Sequence, residues 1–312
     1  MVLDRSTGQI EHHRFGDLPD LLHPNDALIL NETRVIPARL QASKLPDGGK
    51  AELLLLARRE SMVWEAMVGG QGIRPGKRLE VAGRLGCEIL EDLGGPRRLV
   101  RFDSPITPLL EEIGSPPIPP YIRTPLRSAD EYQTVYAKHA GSAAAPTAGL
   151  HFTRDMLVEI EHREVAIAAV TLHVGLDTFA PVTVEQAEEH QIHSEWCRVP
   201  ETVIDTVRRA RGAGGRVVAV GTTAVRALET AALQATPEEI ILPFEGPTEL
   251  FILPGFEYGA VDAMLTNFHL PRSTLLMMVS AFAGRERILD AYDTAIAEGY
   301  RFYSFGDAML IL

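Results

Sequence analysis

Three histidines stand in short runs of small and polar residues that no helical or strand pattern accounts for. His151 lies in Pro146-Thr147-Ala148-Gly149-Leu150-His151-Phe152-Thr153, His173 in Thr171-Leu172-His173-Val174-Gly175, and His269 in Thr266-Asn267-Phe268-His269-Leu270-Pro271. Imidazole takes or gives a proton near neutrality at its ordinary pKa, so the chemistry these runs suggest is acid–base. The alternative for each is a hydrogen-bonded histidine with a purely structural role. A fourth cluster runs from Glu189-His190 through His193-Ser194-Glu195 to Trp196-Cys197. Its His-x-x-His spacing departs from the i, i+4 pairing of helical zinc sites, and no second Cys/His group completes a ligand set, so no metal is expected. His190, His193 and Glu195 are therefore read as acid–base or substrate-binding groups, with solvated surface polarity as the alternative.

Gly221-Thr222-Thr223 follows an apolar run and opens a helical stretch. Backbone N–H groups and hydroxyls at such a point can hold a carboxylate or phosphate, and the same geometry makes an ordinary N-cap. Gly212-Ala213-Gly214-Gly215 looks like a dinucleotide fingerprint, but it precedes the strand where a phosphate cradle must follow one. It is read as a helix end.

The elements that must position these groups fall into two textures. From Ala38 to Phe102 short apolar or alternating runs (51–57, 62–68, 78–81, 87–90 and 99–102) alternate with Gly-rich breaks, which predicts a small antiparallel barrel or sandwich. A proline-rich stretch from 104 to 125 closes it. Thereafter helices and strands alternate. A capping box at Ser128–Glu131 predicts a helix to about Lys138, and Thr153 is placed to cap a helix through Glu161. Val165–Val174 and Val217–Val220 read as buried strands. Val203–Arg211, Ala224–Leu233 and the stripe Ile288, Leu289, Tyr292, Ala295, Ile296 read as helices. Ser273 or Thr274 caps an apolar helix, and 301–305 and 308–312 read as strands. Leu28-Ile29-Leu30 belongs with the α/β part yet precedes the β region. The expected fold is α/β: a barrel-like main domain (1–38 plus 116–312) with an inserted small antiparallel β-barrel domain (39–115).

With 46% hydrophobic and 23% charged residues, disorder and a disulfide scaffold are excluded, and two cysteines 110 positions apart make no framework. The longest apolar run, Leu275–Ala283, is far short of the roughly 20 residues that span a bilayer. The N-terminus carries charge where a signal peptide needs an apolar run, so a cytoplasmic protein without membrane contact is expected. The net charge of -12 argues against a general nucleic-acid binder.

Several segments, in order, resemble one family: the S-adenosylmethionine:tRNA ribosyltransferase-isomerases of the queuosine pathway. They are Leu30-Asn-Glu-Thr-Arg-Val-Ile-Pro-Ala-Arg39, Ala145–Thr153, Thr171–Gly175 with Phe179-Ala-Pro181, His190–Glu195, Gly221-Thr-Thr-Ala-Val-Arg-Ala-Leu-Glu229, Thr266–Pro271 and Tyr300-Arg-Phe-Tyr-Ser-Phe-Gly-Asp307. Together they span nearly the whole chain. Members of the family are expected to carry a further segment before the point matching Val2-Leu3-Asp4-Arg5. The resemblance implies that S-adenosylmethionine is a ribosyl donor and co-substrate, with no prosthetic group. The acceptor it implies is the aminomethyl group of 7-aminomethyl-7-deazaguanine in the tRNA anticodon loop, and the products are epoxyqueuosine, adenine and methionine.

On that reading His151, His173 and His269 share the proton transfers. Asn31, Thr33, Arg34, Phe152, Thr153, Gly175, His190, His193, Glu195, Gly221, Thr222, Thr223, Arg226, Asn267, Phe268, Ser273 and Asp307 are candidates for substrate binding, with Phe152 or Phe268 stacking on a base. All but four of the basic residues are arginine, the side chain suited to phosphate, and Arg34, Arg39, Arg123, Arg127 and Arg226 are candidates for tRNA. Arg208-Arg209-Arg211 and Arg97-Arg98-Arg101 are read equally as solvated faces. A monomer is expected. The rival functions are an S-adenosylmethionine-dependent methyltransferase and a tRNA-binding module without activity.

Overall fold

The computed structural model describes residues 1–119, 121–122, 126–175, 187–190, 192–236 and 239–312. Its contacts group the chain into two units: Met1–Arg34, Gln133–His139 and Ala145–Leu312 form one, Val35–Tyr132 and Ala140–Ala144 the other.

The first unit is built on a nine-stranded mixed sheet. Four parallel strands lie at its centre in the order Ala166–Leu172, Ala27–Asn31, Val217–Val220, Ala263–Asn267. Ala27–Asn31, Val217–Val220 and Ala263–Asn267 are buried at every position, as parallel strands covered on both faces must be. Antiparallel strands flank them: Glu195–Val199 and Phe244–Thr248 on one side, Ala308–Ile311 on the other. Helices Glu201–Gly212 and Thr222–Ala232 pack on the sheet through stripes such as Val203, Ile204, Val207 and Ala224, Ala227, Leu228. The strand at Leu28 thus sits in the middle of the α/β sheet.

The second unit is a closed six-stranded antiparallel barrel. Arg39–Lys44 pairs with Lys50–Arg58 and also with Arg78–Val81, which joins the two ends of the meander. Leu40, Leu53, Leu55, Ala66, Leu79, Cys87, Ile89 and Val100 fill its interior. Register shifts between Leu55 and Ala57 and between Leu99 and Val100 mark irregularities of the kind that let a sheet curl. The α/β class with a small antiparallel barrel matches expectation.

Two local expectations fail. The helix predicted from Ser128 is only a 3-10 turn, Ala129–Tyr132. Glu131 accepts from the Arg127 backbone N–H (3.0 Å) and not from Ser128, so the expected capping box is not made, and Val135 beyond it is exposed. The strand predicted over 301–305 is a loop closed by Asp307 N–H donating to the Arg301 carbonyl (2.7 Å), with Tyr303 at φ 73. Phe302 and Tyr300 turn inward there onto Phe268, and that packing displaces a ladder.

Candidate active site

Asn31, His173, Gly221 and Asn267 stand at or just after the carboxyl ends of the four parallel strands, where ligands sit in open α/β sheets. Asn31 ends one strand and is wholly buried. Its amide nitrogen donates to the Leu172 carbonyl (3.1 Å) and to Thr223 Oγ1 (3.0 Å). Its oxygen accepts from the backbone N–H groups of Leu172 (3.0 Å) and Thr33 (3.2 Å). The amide is fully committed, so Asn31 holds two strand ends and a helix start together and does not reach for a ligand.

His173 follows the strand Ala166–Leu172. Its Nδ1 is 2.8 Å from Thr33 Oγ1, and its ring stacks on Trp196 with centroids 5.2 Å apart and planes 19° from parallel. Burial, with His139 adding positive field, pushes the imidazole down to about 4. His269 Nε2 lies 2.7 Å from Thr266 Oγ1 and its backbone N–H donates to Tyr292 Oη (2.8 Å). Burial lowers this ring to about 4 as well. His151 stacks on Phe15 (4.8 Å, 22°), and its Nε2 is 3.3 Å from Asn267 Nδ2, whose Oδ1 accepts from Thr147 Oγ1 (2.9 Å). Burial lowers His151 too, against the opposing pull of Asp307. In all three rings burial disfavours the charged imidazolium and favours the neutral form that carries a lone pair.

This has a stability consequence. Both His173 and His269 titrate lower folded than unfolded, so the unfolded chain binds more protons between pH 6.5 and about 4. Their contribution is complete above pH 6.5 and is lost as the pH falls towards 4. Urea midpoints should therefore drop over that window, and His173→Asn and His269→Asn should each flatten the drop; imidazole NMR titrations that put both near 6.5 would overturn the assignment.

A second group lines a small cavity of about 40 Å³ at the start of the helix Thr222–Ala232. His190, His193, Glu195, Thr222, Thr223 and Arg226 form its polar side, and Leu250, Ile252, Leu275 and Met278 its apolar side. Gly221 precedes the helix at φ 85, a conformation that favours glycine, and its N–H donates to the Leu265 carbonyl. Arg226 Nη1 donates to Glu195 Oε2 (2.6 Å) and Nη2 to the carbonyls of His193 (3.0 Å) and Thr248 (3.1 Å). Glu195 also accepts from the Gly175 N–H (2.9 Å). Both charges are buried, at 6% exposure each. Arg226 is therefore a clamp on the loops carrying His173 and His193, which corrects its reading as a phosphate contact.

His151 and Asp307 open instead on a larger cavity of about 470 Å³, with Phe15, Tyr300, Arg301 and Leu265 among its walls. Arg301 bonds Asp307 through Nη2 (2.8 Å) and its backbone N–H (2.7 Å), holding the carboxyl below its usual range. Several other candidates have structural work. Thr153 and Ser273 are N-caps, accepting from Met156 N–H and Leu276 N–H. Phe152 and Phe268 are 2% and 0% exposed, so neither ring offers a face for stacking. The space beside Gly149 is used by the Tyr136 hydroxyl, 1.9 Å from where a Cβ would stand, rather than by a ligand. Arg34 is half-buried in the strand Thr33–Val35.

The arginine clusters are held by carboxylates: Arg208 by Asp205 and Glu239, Arg211 by Asp262, Arg97 by Glu65, Arg98 by Asp92 and Arg101 by Glu88. Arg39 pairs with Glu52. Arg34 and Arg127 make no ion pair among the described residues, while Arg123 and the Phe179-Ala-Pro181 segment lie outside them. Among the described residues no three His, Cys, Asp or Glu side chains gather as a metal site, and no helix is long and apolar enough to cross a membrane. Three aromatics and one buried carboxylate escaped the sequence reading: Phe15 at the larger cavity, Phe251 at the smaller one, Trp196 and Glu229. Glu229 accepts from three successive N–H groups, at Gly259, Ala260 and Val261, and anchors that turn. For Trp196 a signal existed: in Glu195–Val199 residues 195, 197 and 199 turn inward, which puts the tryptophan outward.

A family model described as queuosine biosynthesis protein matches residues 1–311. The S-adenosylmethionine:tRNA ribosyltransferase-isomerases of Acetivibrio thermocellus and Moorella thermoacetica are each 50% identical over 100% of this chain and 92% of their own length. The crystal structure of an S-adenosylmethionine tRNA ribosyltransferase from Thermotoga maritima is 38% identical and covers 100% of this chain and 91% of its own, with a TM-score of 0.55.

Proposed function

The chain belongs to the queuosine biosynthesis protein family, and from that premise we propose that it is an S-adenosylmethionine:tRNA ribosyltransferase-isomerase. It moves the ribosyl moiety of S-adenosylmethionine onto 7-aminomethyl-7-deazaguanine at the tRNA wobble position and rearranges it, forming epoxyqueuosine with loss of adenine and methionine. The observation that carries this is half-identity to enzymes of that name along the entire chain, barrel and α/β unit alike.

The chemistry asks for a base first. The sulfonium acidifies the neighbouring C5′ carbon, and removal of that proton starts the rearrangement that expels adenine. Burial favours the neutral form of His151, His173 and His269, and that form carries the lone pair that can accept it. The imidazolium so formed is then the acid available to the departing adenine. Thr222 and Thr223 at the helix start, with His190 and His193 beside them, are the groups available to the polar parts of the donor. Asn31, Asn267 and the Arg226–Glu195 pair position these groups.

One assay tests the reading: labelled S-adenosylmethionine and tRNA bearing the modified base. Adenine and methionine are the expected products. S-adenosylhomocysteine would make the protein a methyltransferase, and binding without either product would make it a tRNA-binding module. For the tRNA partner, arginines that make no ion pair among the described residues, such as Arg34 and Arg127, are the phosphate contacts. Binding of an anticodon stem-loop should then weaken with salt, by a logarithmic slope of about 0.7 for each single-strand phosphate engaged. A flat response would remove phosphate-led recognition.

A further inference from the structure

Burial of Phe152 and Phe268 removes both rings that the sequence offered for base stacking. Trp196 lies in the strand Glu195–Val199, next to the end of Ala166–Leu172. The ladder that pairs Leu172 with Cys197 continues with the His173 N–H donating to the Trp196 carbonyl (2.9 Å). His173 and Trp196 are therefore cross-strand neighbours, and their rings stack nearly parallel. His173 covers one face of the indole, yet Trp196 is still 38% exposed. The chain has two tryptophans, and the other, Trp64, is buried in the barrel interior. An outward tryptophan costs apolar exposure, and here it is braced from behind by a ring that Thr33 in turn holds through Nδ1.

We propose that the exposed surface of Trp196 is a stacking platform for a purine-type base, with His173 as its backing ring. The proposal deepens the proposed function and rests on it, since that reaction brings two such bases to the protein: the adenine of S-adenosylmethionine and the deazaguanine of the tRNA. Stacking is tolerant of ring substituents and needs no hydrogen-bond partner from the platform, which fits an indole presented at a strand end.

The test is a fluorescence titration of the whole chain carrying Trp64→Phe, so that Trp196 is the sole tryptophan. Titration with S-adenosylmethionine alone and with an anticodon stem-loop bearing the modified base forms the two arms. Quenching in the first arm assigns the platform to adenine, and in the second to the tRNA base. Independently, Trp196→Ala should weaken binding of that same ligand roughly 5- to 150-fold, as loss of one base–aromatic stack does, and Trp196→Phe should restore most of it. Circular dichroism and the melting temperature confirm that the variants fold. Absence of quenching in both arms, or binding of both ligands by a folded Trp196→Ala protein within twofold of wild type, would overturn the proposal. Neither measurement needs turnover. A protein that quenches but releases no adenine keeps the platform and loses the proposed reaction.

Discussion

Alanine at His151, His173 or His269 is expected to slow adenine release by about 10²- to 10⁴-fold, the usual contribution of a positioned acid–base group. The three substitutions differ in what else they remove. His269 is tied through Nε2 to Thr266, whose buried hydroxyl would keep only its 3.4 Å bond to the Asn267 carbonyl. His151 is held by Asn267 and stacked on Phe15 at the wall of the larger cavity. In His173 the bond to Thr33 engages Nδ1, and Nε2 makes no hydrogen bond among the described residues. When Nδ1 carries the proton and donates it to Thr33, Nε2 presents a lone pair, the form a base requires. His173→Ala should therefore lower kcat more than it raises KM. Rates near wild type in all three folded variants would end the acid–base proposal.

Glu195→Ala is expected to lower the stability of the folded chain by about 3–5 kcal/mol, the cost of leaving a buried charge without its partner. The guanidinium of Arg226 would remain enclosed between the carbonyls of His193 and Thr248, and the Gly175 N–H would lose its acceptor. Glu195→Gln keeps an acceptor for Gly175 but not the charge, so it should fall between wild type and alanine. Urea unfolding followed by circular dichroism reads the difference. The exposed Asp20–Arg163 pair is the control, and breaking it should leave the midpoint unchanged. A Glu195→Ala midpoint equal to wild type would show that the clamp does not hold these loops.

Much of the fold was legible because burial leaves a local imprint. Val217–Val220 and Ala27–Asn31 are continuous apolar runs, and Ile288, Ala291, Tyr292 and Ala295 mark a helical face. The strand Arg39–Lys44 was not picked out within the β region, although it closes the barrel. In Arg39-Leu40-Gln41-Ala42-Ser43-Lys44 only Leu40 is buried, and its membership is set by pairing to two partners. The 301–305 segment misled for the opposite reason. Its aromatics look like strand residues but serve as plugs over Phe268.

The sequence by itself determined the alternation of strands and helices, the separate antiparallel barrel, and a set of loops whose polar residues no packing pattern explains. Those properties depend on neighbours a few positions away, and periodicity records them. The tertiary structure alone decided what each candidate in those loops is free to do. Asn31 spends its amide on partners 141 and 192 positions distant, and Arg226 meets its carboxylate 31 positions away. Thr33 reaches His173 across 140 positions. Hydrogen-bond saturation, burial and the resulting pKa are sums over groups that only folding brings near, and they separate an anchoring side chain from an available one.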